Sequence, residues 1–154
     1  MANRSELKEE VNMSYKVTVE GLESFEIAKE CVRSVEYTTD IPLDSNARTK
    51  DVGSTLTITG RILTAVDGDP FDSTRKLALW SAVPAEKSDC YRKVTVEHVA
   101  AGVMERKYFF PNAFVIDYKE EYDNGEGTGI FTLIIKQKKD KLANITVEGG
   151  YSAV

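Results

Sequence analysis

Few residues in this chain are equipped for chemistry. His98 is the only histidine, and Cys31 and Cys90 are the only cysteines. A zinc site of the usual His/Cys type would need all three to converge, with a carboxylate as fourth ligand. Their spacing shows no such cluster. A Ser-His-Asp triad would have to use His98. That residue lies in Val94-Thr95-Val96-Glu97-His98-Val99, which alternates like a strand interior. A solvent-facing or interface histidine is expected there, not a general base. Asp67-Gly68-Asp69 and Asp123-Asn124-Gly125-Glu126 each gather carboxylates in a loop. Neither has the calcium-loop spacing of an EF-hand, and both read as solvated turns. Gly125, Gly127 and Gly129 alternate but precede a strand, so they do not form a phosphate-cradling loop. No nucleophile, base and orienting group can be assembled together. The expectation is a protein that is not an enzyme and has no catalytic, metal or cofactor site.

Other features bear on contacts. Lys136-Gln137-Lys138-Lys139-Asp140-Lys141 is a basic run without interleaved aromatics, read as solvated or as part of an interface. The acidic Glu120-Glu121-Tyr122-Asp123 stretch is one candidate partner for it. The two cysteines either form one bridge or stay as reduced, half-buried thiols, the second being favoured. Asn144-Ile145-Thr146 matches a glycosylation sequon, which has meaning only with a secretory leader. The N-terminal residues include no apolar leader core, and no run approaches the ~18 apolar residues of a membrane span. A soluble protein made in the cytoplasm, without membrane contact, is therefore expected.

The elements that would carry these residues are mostly strands. The chain has 154 residues, 42% hydrophobic and 29% charged, with a formal charge of -5. This length suits one domain with its own core. The charge argues against a broadly basic nucleic-acid binder. Tyr15–Glu20, Phe25–Ala28, Val32–Tyr37 and Thr55–Ile62 read as strands. In the last of these, Leu56, Ile58 and Ile62 share one face and threonines the other. Gly60 inside it predicts a bulge or a close backbone approach. Asp72 or Ser73 is expected to cap a helix over Thr74–Ser81, with Phe71, Leu77 and Trp80 or Ala78 inward and Pro84 ending it. Strands resume at Tyr91–Val99, Met104–Phe110 and Ala113–Tyr122, the last two separated by Pro111-Asn112. An Asp123–Gly127 hairpin loop leads into Gly129–Gln137, and Ile145–Glu148 closes the series. The fold class is mainly β, a small antiparallel barrel or two-sheet sandwich with one flanking helix. A polar segment, 1–13, precedes the β domain, 14–154. The aromatics Tyr108, Phe109, Phe110, Phe114 and Tyr118 could line a ligand cavity in a monomeric barrel, although core packing is the simpler expectation.

Two features go beyond a self-contained core. Asp40–Gly53 runs without clear periodicity and suits a contact arm, with Asn46, Ala47, Arg48, Thr49, Lys50 and Asp51 at its centre. Ile130–Ile135 is apolar on both faces and needs cover on both, from the chain's helix or a neighbouring subunit. Ile130, Phe131, Leu133 and Ile135 are thus expected at an inter-subunit contact.

This order of elements resembles the tail-tube superfamily, which includes the haemolysin co-regulated tube protein of type VI secretion and the inner-tube proteins of contractile phage tails and phage-like injection systems. The resemblance rests on Arg48-Thr49-Lys50-Asp51 entering Leu56-Thr57-Ile58-Thr59-Gly60, on Ser73–Trp80, and on Tyr108–Tyr118 leading into Gly129–Ile135. It implies a hexameric ring that stacks into a hollow tube with a lumen for DNA or effector cargo. It also implies sheath and baseplate partners, and a long loop reaching a neighbouring subunit or ring. Thr55, Thr57 and Thr59 would then suit a polar lumen face. The charge of -5, repeated around a ring, would give a negative field toward anionic cargo.

Overall fold

The computed structural model describes residues 13–40, 53–100, 103–125 and 127–152. The strands are β1 (Met13–Glu20), β2 (Phe25–Ile27), β3 (Val32–Asp40), β4 (Gly53–Ile62), β5 (Arg92–Ala100), β6 (Val103–Tyr122), β7 (Gly129–Gln137), β8 (Thr146–Glu148) and β9 (Tyr151–Ser152). The helix α1 spans Ser73–Ser81. All strand pairs are antiparallel, in the order β2-β1-β5-β6-β7-β4-β3, with β8 and β9 also on β6. The two end strands are not paired to each other, so the sheet is not closed into a barrel. It folds over as a sandwich with one helix.

The 20-residue β6 joins the two halves of the sandwich. Its first half pairs with β5 and with β8 and β9, and its second half pairs with β7. The sequence suggests two strands broken at Pro111-Asn112, but the structure has one strand with a bulge there. The register slips between Arg92↔Ala113 and Val94↔Phe110. Proline has no N–H to give a ladder, and a bulge removes that demand. The Asn112 N–H donates to Gln137 Oε1 at 2.9 Å, which satisfies the neighbouring backbone group.

The core collects Val17, Val19, Ile27, Leu56, Ile58, Val94, Val96 and Phe110 from the strands with Leu77 and Trp80 from α1. The period-two reading of β4 holds: Leu56 and Ile58 are buried, and the alternating threonines lie half-buried on the other face. Gly60 marks a close approach. A Cβ there would lie 1.8 Å from the Cys31 carbonyl oxygen and 2.7 Å from the Phe131 ring. The facing strand β3 slips its register opposite, between Val32 and Ser34.

α1 begins where the sequence suggests, but its cap differs. Asp72 occupies the cap position in a left-handed conformation and makes no side-chain cap bond. Asp69, which is buried, takes that role. Its Oδ1 accepts from Ser73 N at 3.0 Å and from Ser73 Oγ at 2.9 Å. Ser73 Oγ in turn accepts from Ala28 N at 3.1 Å, tying the helix start to the β2–β3 connection. The turn at Asp72 leaves Phe71 outside, 80% exposed, and not on the inward face with Leu77 and Trp80. At the other end, Trp80 Nε1 donates to the Cys90 carbonyl at 3.0 Å and Arg92 covers the indole at 5.5 Å. Asp89 pairs with Arg92 at 2.6 Å. Partial desolvation opposes ionisation of Asp89, but the Arg92 guanidinium and the Leu22 N–H outweigh it and hold the carboxyl below its ordinary range.

Both cysteines are free and buried. Burial, followed by the nearby Asp69 carboxylate, pushes the Cys31 thiol up to about 11. In the unfolded chain it titrates near its ordinary 9.0. Stability from this group is complete below pH 9 and lost as pH rises toward 11, because only the unfolded chain gives up the proton easily. We expect Cys31 to resist iodoacetamide in the native protein at about pH 8. A Cys31→Ala variant should lose less stability than the parent between these two pH values. Rapid native labelling of Cys31, or identical alkaline slopes, would count against this.

Candidate assembly surface

Among the described residues no group of three or more His, Cys, Asp and Glu side chains could hold a metal ion. His98 lies on β5 with its ring stacked on Tyr15 at 5.0 Å, and its Nε2 is buried without a partner. No triad forms around it. The aromatic set is dispersed. Phe110 is in the core, Tyr108 stacks on Tyr37 at 4.7 Å, and Phe114 meets Tyr91 edge-on at 5.9 Å. Phe109 lies opposite Thr95. Tyr118 donates to Glu120 Oε1 at 2.8 Å, and its hydroxyl lies 3.4 Å from the Thr74 carbonyl on α1. Burial and Glu120 push the Tyr118 phenol far above its ordinary value. Glu120 also accepts from Tyr122 at 2.8 Å, which raises that phenol as well.

The expected contact arm, with Asn46, Ala47, Arg48, Thr49, Lys50 and Asp51, lies outside the described residues. On β7 the faces divide. Phe131, Leu133 and Ile135 are at most 1% exposed in the chain's own core. Ile130 and Ile134 lie half-buried on the opposite face. β7 covers one face with its own sandwich, so only its outward residues can meet another molecule without unfolding.

That outward face has a regular texture. Across β3, β4, β7 and β6 the register gives the rows Ser34-Thr59-Thr132-Lys119, Glu36-Thr57-Ile134-Asp117 and Thr38-Thr55-Lys136-Phe114. Arg61, Ile130 and Glu121 form a fourth row. In these rows Glu36, Asp117 and Glu121 stand alongside Arg61, Lys119 and Lys136, so both signs are interspersed. The other half repeats the device. Lys16, Glu97, Lys107 and Glu148 alternate in sign across β1, β5, β6 and β8, with Lys107 Nζ 3.7 Å from Glu97. Opposite charges in directly facing cross-strand positions stabilise a sheet by a few tenths of a kcal/mol each, up to about 1. On the first face Thr55, Thr57 and Thr59 run down β4 as a polar column crossed by these rows.

Large apolar side chains are exposed in turns and at α1. Leu22 is 91% exposed and Val66 96%, and Leu79 on the helix is half in solvent. Scattered apolar residues are ordinary on a monomer, but Leu22, Val66 and Phe71 all stand at loop positions where a fold needs none.

This sandwich with its one helix superposes on solved chains along nearly its whole length. A chain of the six-fold symmetrised baseplate of the anti-feeding prophage superposes with a TM-score of 0.52 at 14% identity, covering 97% of this chain and 98% of that one. The chain has the tail-tube fold. A chain of an extracellular contractile injection system, the PVC sheath-tube complex in its extended state, covers 97% of this chain and all of its own, with a TM-score of 0.51 and 11% identity. Hcp1 from Flavobacterium johnsoniae gives 0.53 at 18% identity, over 88% and 96% of the two chains. No protein-family model and no curated protein matches the sequence. In the sequence, the signal for the outward face was the alternation of Thr55, Thr57 and Thr59. The acid that caps α1 had no such signal, because Asp69 stands four residues before the first residue of the helix.

Proposed function

We propose that this chain is a structural subunit of the inner tube of a contractile tail or injection system. Six copies close into a ring, and the rings stack around a lumen that passes DNA or effector proteins. Sheath and baseplate proteins are its partners in the particle, and no membrane takes part. The observation that carries the reading is correspondence of fold with a chain of a prophage baseplate and a chain of a sheath-tube complex: 97% of this chain against 98% and 100% of the two. The threonine column Thr55, Thr57 and Thr59 on β4 supports a lumen wall, since its hydroxyls stay hydrated and offer cargo no charge. The exposed Leu22, Val66 and Phe71 support contacts made outside the subunit's own core, and Asn46–Asp51 and Ile130 are proposed to join them.

A closed ring needs heterologous contacts, in which two different patches of each copy meet. Light scattering with negative-stain microscopy tests this. We expect annular particles, and short stacks of them at high protein concentration. A protein that stays monomeric at high concentration, with no rings in stain, would overturn the reading.

A further inference from the structure

The β6–β7 hairpin separates opposite charges that the sequence could have paired. Tyr122 faces Gly129 at its closed end, and Ala113 faces Gln137 at its open end. Eight residues of strand separate these ends, roughly 26 Å at about 3.3 Å per residue. Glu120, Glu121 and Asp123 sit at the closed end, and the run Lys136–Lys141 leaves the open end. No side chain spans that distance, so the two groups cannot neutralise each other within one copy.

Each end is built to hold its charge in place. At the tip, Asp123 Oδ1 accepts from Gly125 N at 2.9 Å, and Gly127 turns the chain with φ 73°. Ile62, Tyr122, Asp123, Asn124 and Thr128 line an open cleft of about 390 Å³ there, with Tyr122 68% exposed. At the other end the lysines ride on a 3-10 segment, Lys139–Asn144. Lys138 N donates to the Asn112 carbonyl at 2.8 Å, and Gln137 Nε2 donates to the Lys141 carbonyl at 2.9 Å. The Pro111-Asn112 bulge thus anchors the basic segment and leaves Lys141 exposed.

We propose that the acidic hairpin tip receives the basic 3-10 end of a second copy, with Lys141 entering the tip cleft beside Asp123. The cleft has room for a lysine stem and ammonium, with an apolar wall at Ile62 and Tyr122 and a carboxylate at its mouth. Because the two patches lie at opposite ends of the same strands, the contact runs head to tail and repeats without limit. It rests on the tube reading, where it supplies the polarity of ring on ring. A single exposed ion pair contributes little, but one such contact per subunit acts around the whole ring at once.

Sedimentation velocity, with negative stain of the same samples, tests it using Asp123→Lys, Lys141→Glu and the double variant. We expect parent self-association to weaken about tenfold or more between roughly 50 mM and 1 M salt. Each single reversal should weaken it by about tenfold at low salt, and the double reversal should recover most of the loss, since it restores opposite charges. Asp123→Asn and Lys141→Gln, checked by circular dichroism, replace any reversal variant that misfolds, and each should give a smaller loss. Folded single variants that associate like the parent overturn the contact, as does a double variant no better than the singles. Rings that stack unchanged in the single variants overturn the contact and leave the tube reading standing. Charge-dependent association without rings supports the contact and overturns the tube reading.

Discussion

Gly60→Ala should cost about 3 kcal/mol of stability, the upper part of the overpacking range. The added methyl would lie 1.8 Å from the Cys31 carbonyl oxygen, a separation no heavy-atom pair tolerates, and 2.7 Å from the Phe131 ring. A ring edge can tilt, but the carbonyl belongs to backbone between the 3-10 turn Lys29–Cys31 and the start of β3. That backbone must move by more than an ångström. The movement would open the β3–β4 ladder at the register slip, where it is already irregular. Urea unfolding followed by circular dichroism should show a midpoint lowered by roughly 1–2 M with the slope nearly unchanged. A midpoint within about 0.3 M of the parent would mean that β3 can give way freely and that the close approach does not matter.

Asp69→Ala should cost about 2–4 kcal/mol, from two separable losses. The first is the cap of α1, whose removal costs about 0.5–2 kcal/mol in other helices. The second is that the Ser73 Oγ–H, in a buried place, keeps no acceptor, at about 1–3 kcal/mol. Thr74 N, 3.4 Å from Asp69 Oδ2, is left in the same condition. Ser73 Oγ can still receive Ala28 N, so the tie to the β2–β3 connection weakens and does not vanish. Asp69→Asn keeps one acceptor oxygen and should lose about half as much. The α1 region carries exposed Phe71 and Leu79, so an uncapped helix should also raise nonspecific aggregation on heating. Thermal melts of the two variants test this order. An Asn variant as damaged as the Ala variant would show that charge, and not hydrogen bonding, is what Asp69 supplies.

Much of the sandwich was legible in the sequence because it is written in period two. β1, β4 and β7 alternate or run apolar, and the Asp123–Gly127 loop carries turn residues at the right place. The helix was legible from its lack of glycine and its Pro84 stop. What was not legible depends on long-range partners. Pro111 reads locally as a break, yet a bulge opposite β5 lets one strand pass through it. The apolar residues of β7 read as a shared surface, although Phe131, Leu133 and Ile135 are consumed by the chain's own fold. The charge of the whole chain does not give the charge of any one face, because charge is set row by row across strands, and pairing is invisible until the register is known. The same holds for the lysine run and the acids before the hairpin: adjacent in sequence terms, they lie at opposite ends of one β ribbon.

β6 has a mechanical consequence. Both halves of the sandwich hang on this one strand, so no plane of weakness runs between them that packing alone must hold. A load applied along β6 meets its ladders with β5 and β7 in shear, where many hydrogen bonds must fail together, and not in peeling, where they fail singly. The bulge at Pro111-Asn112 lets the strand turn the corner without cutting it. Strain entering one half of the sandwich is therefore carried to the other through covalent backbone.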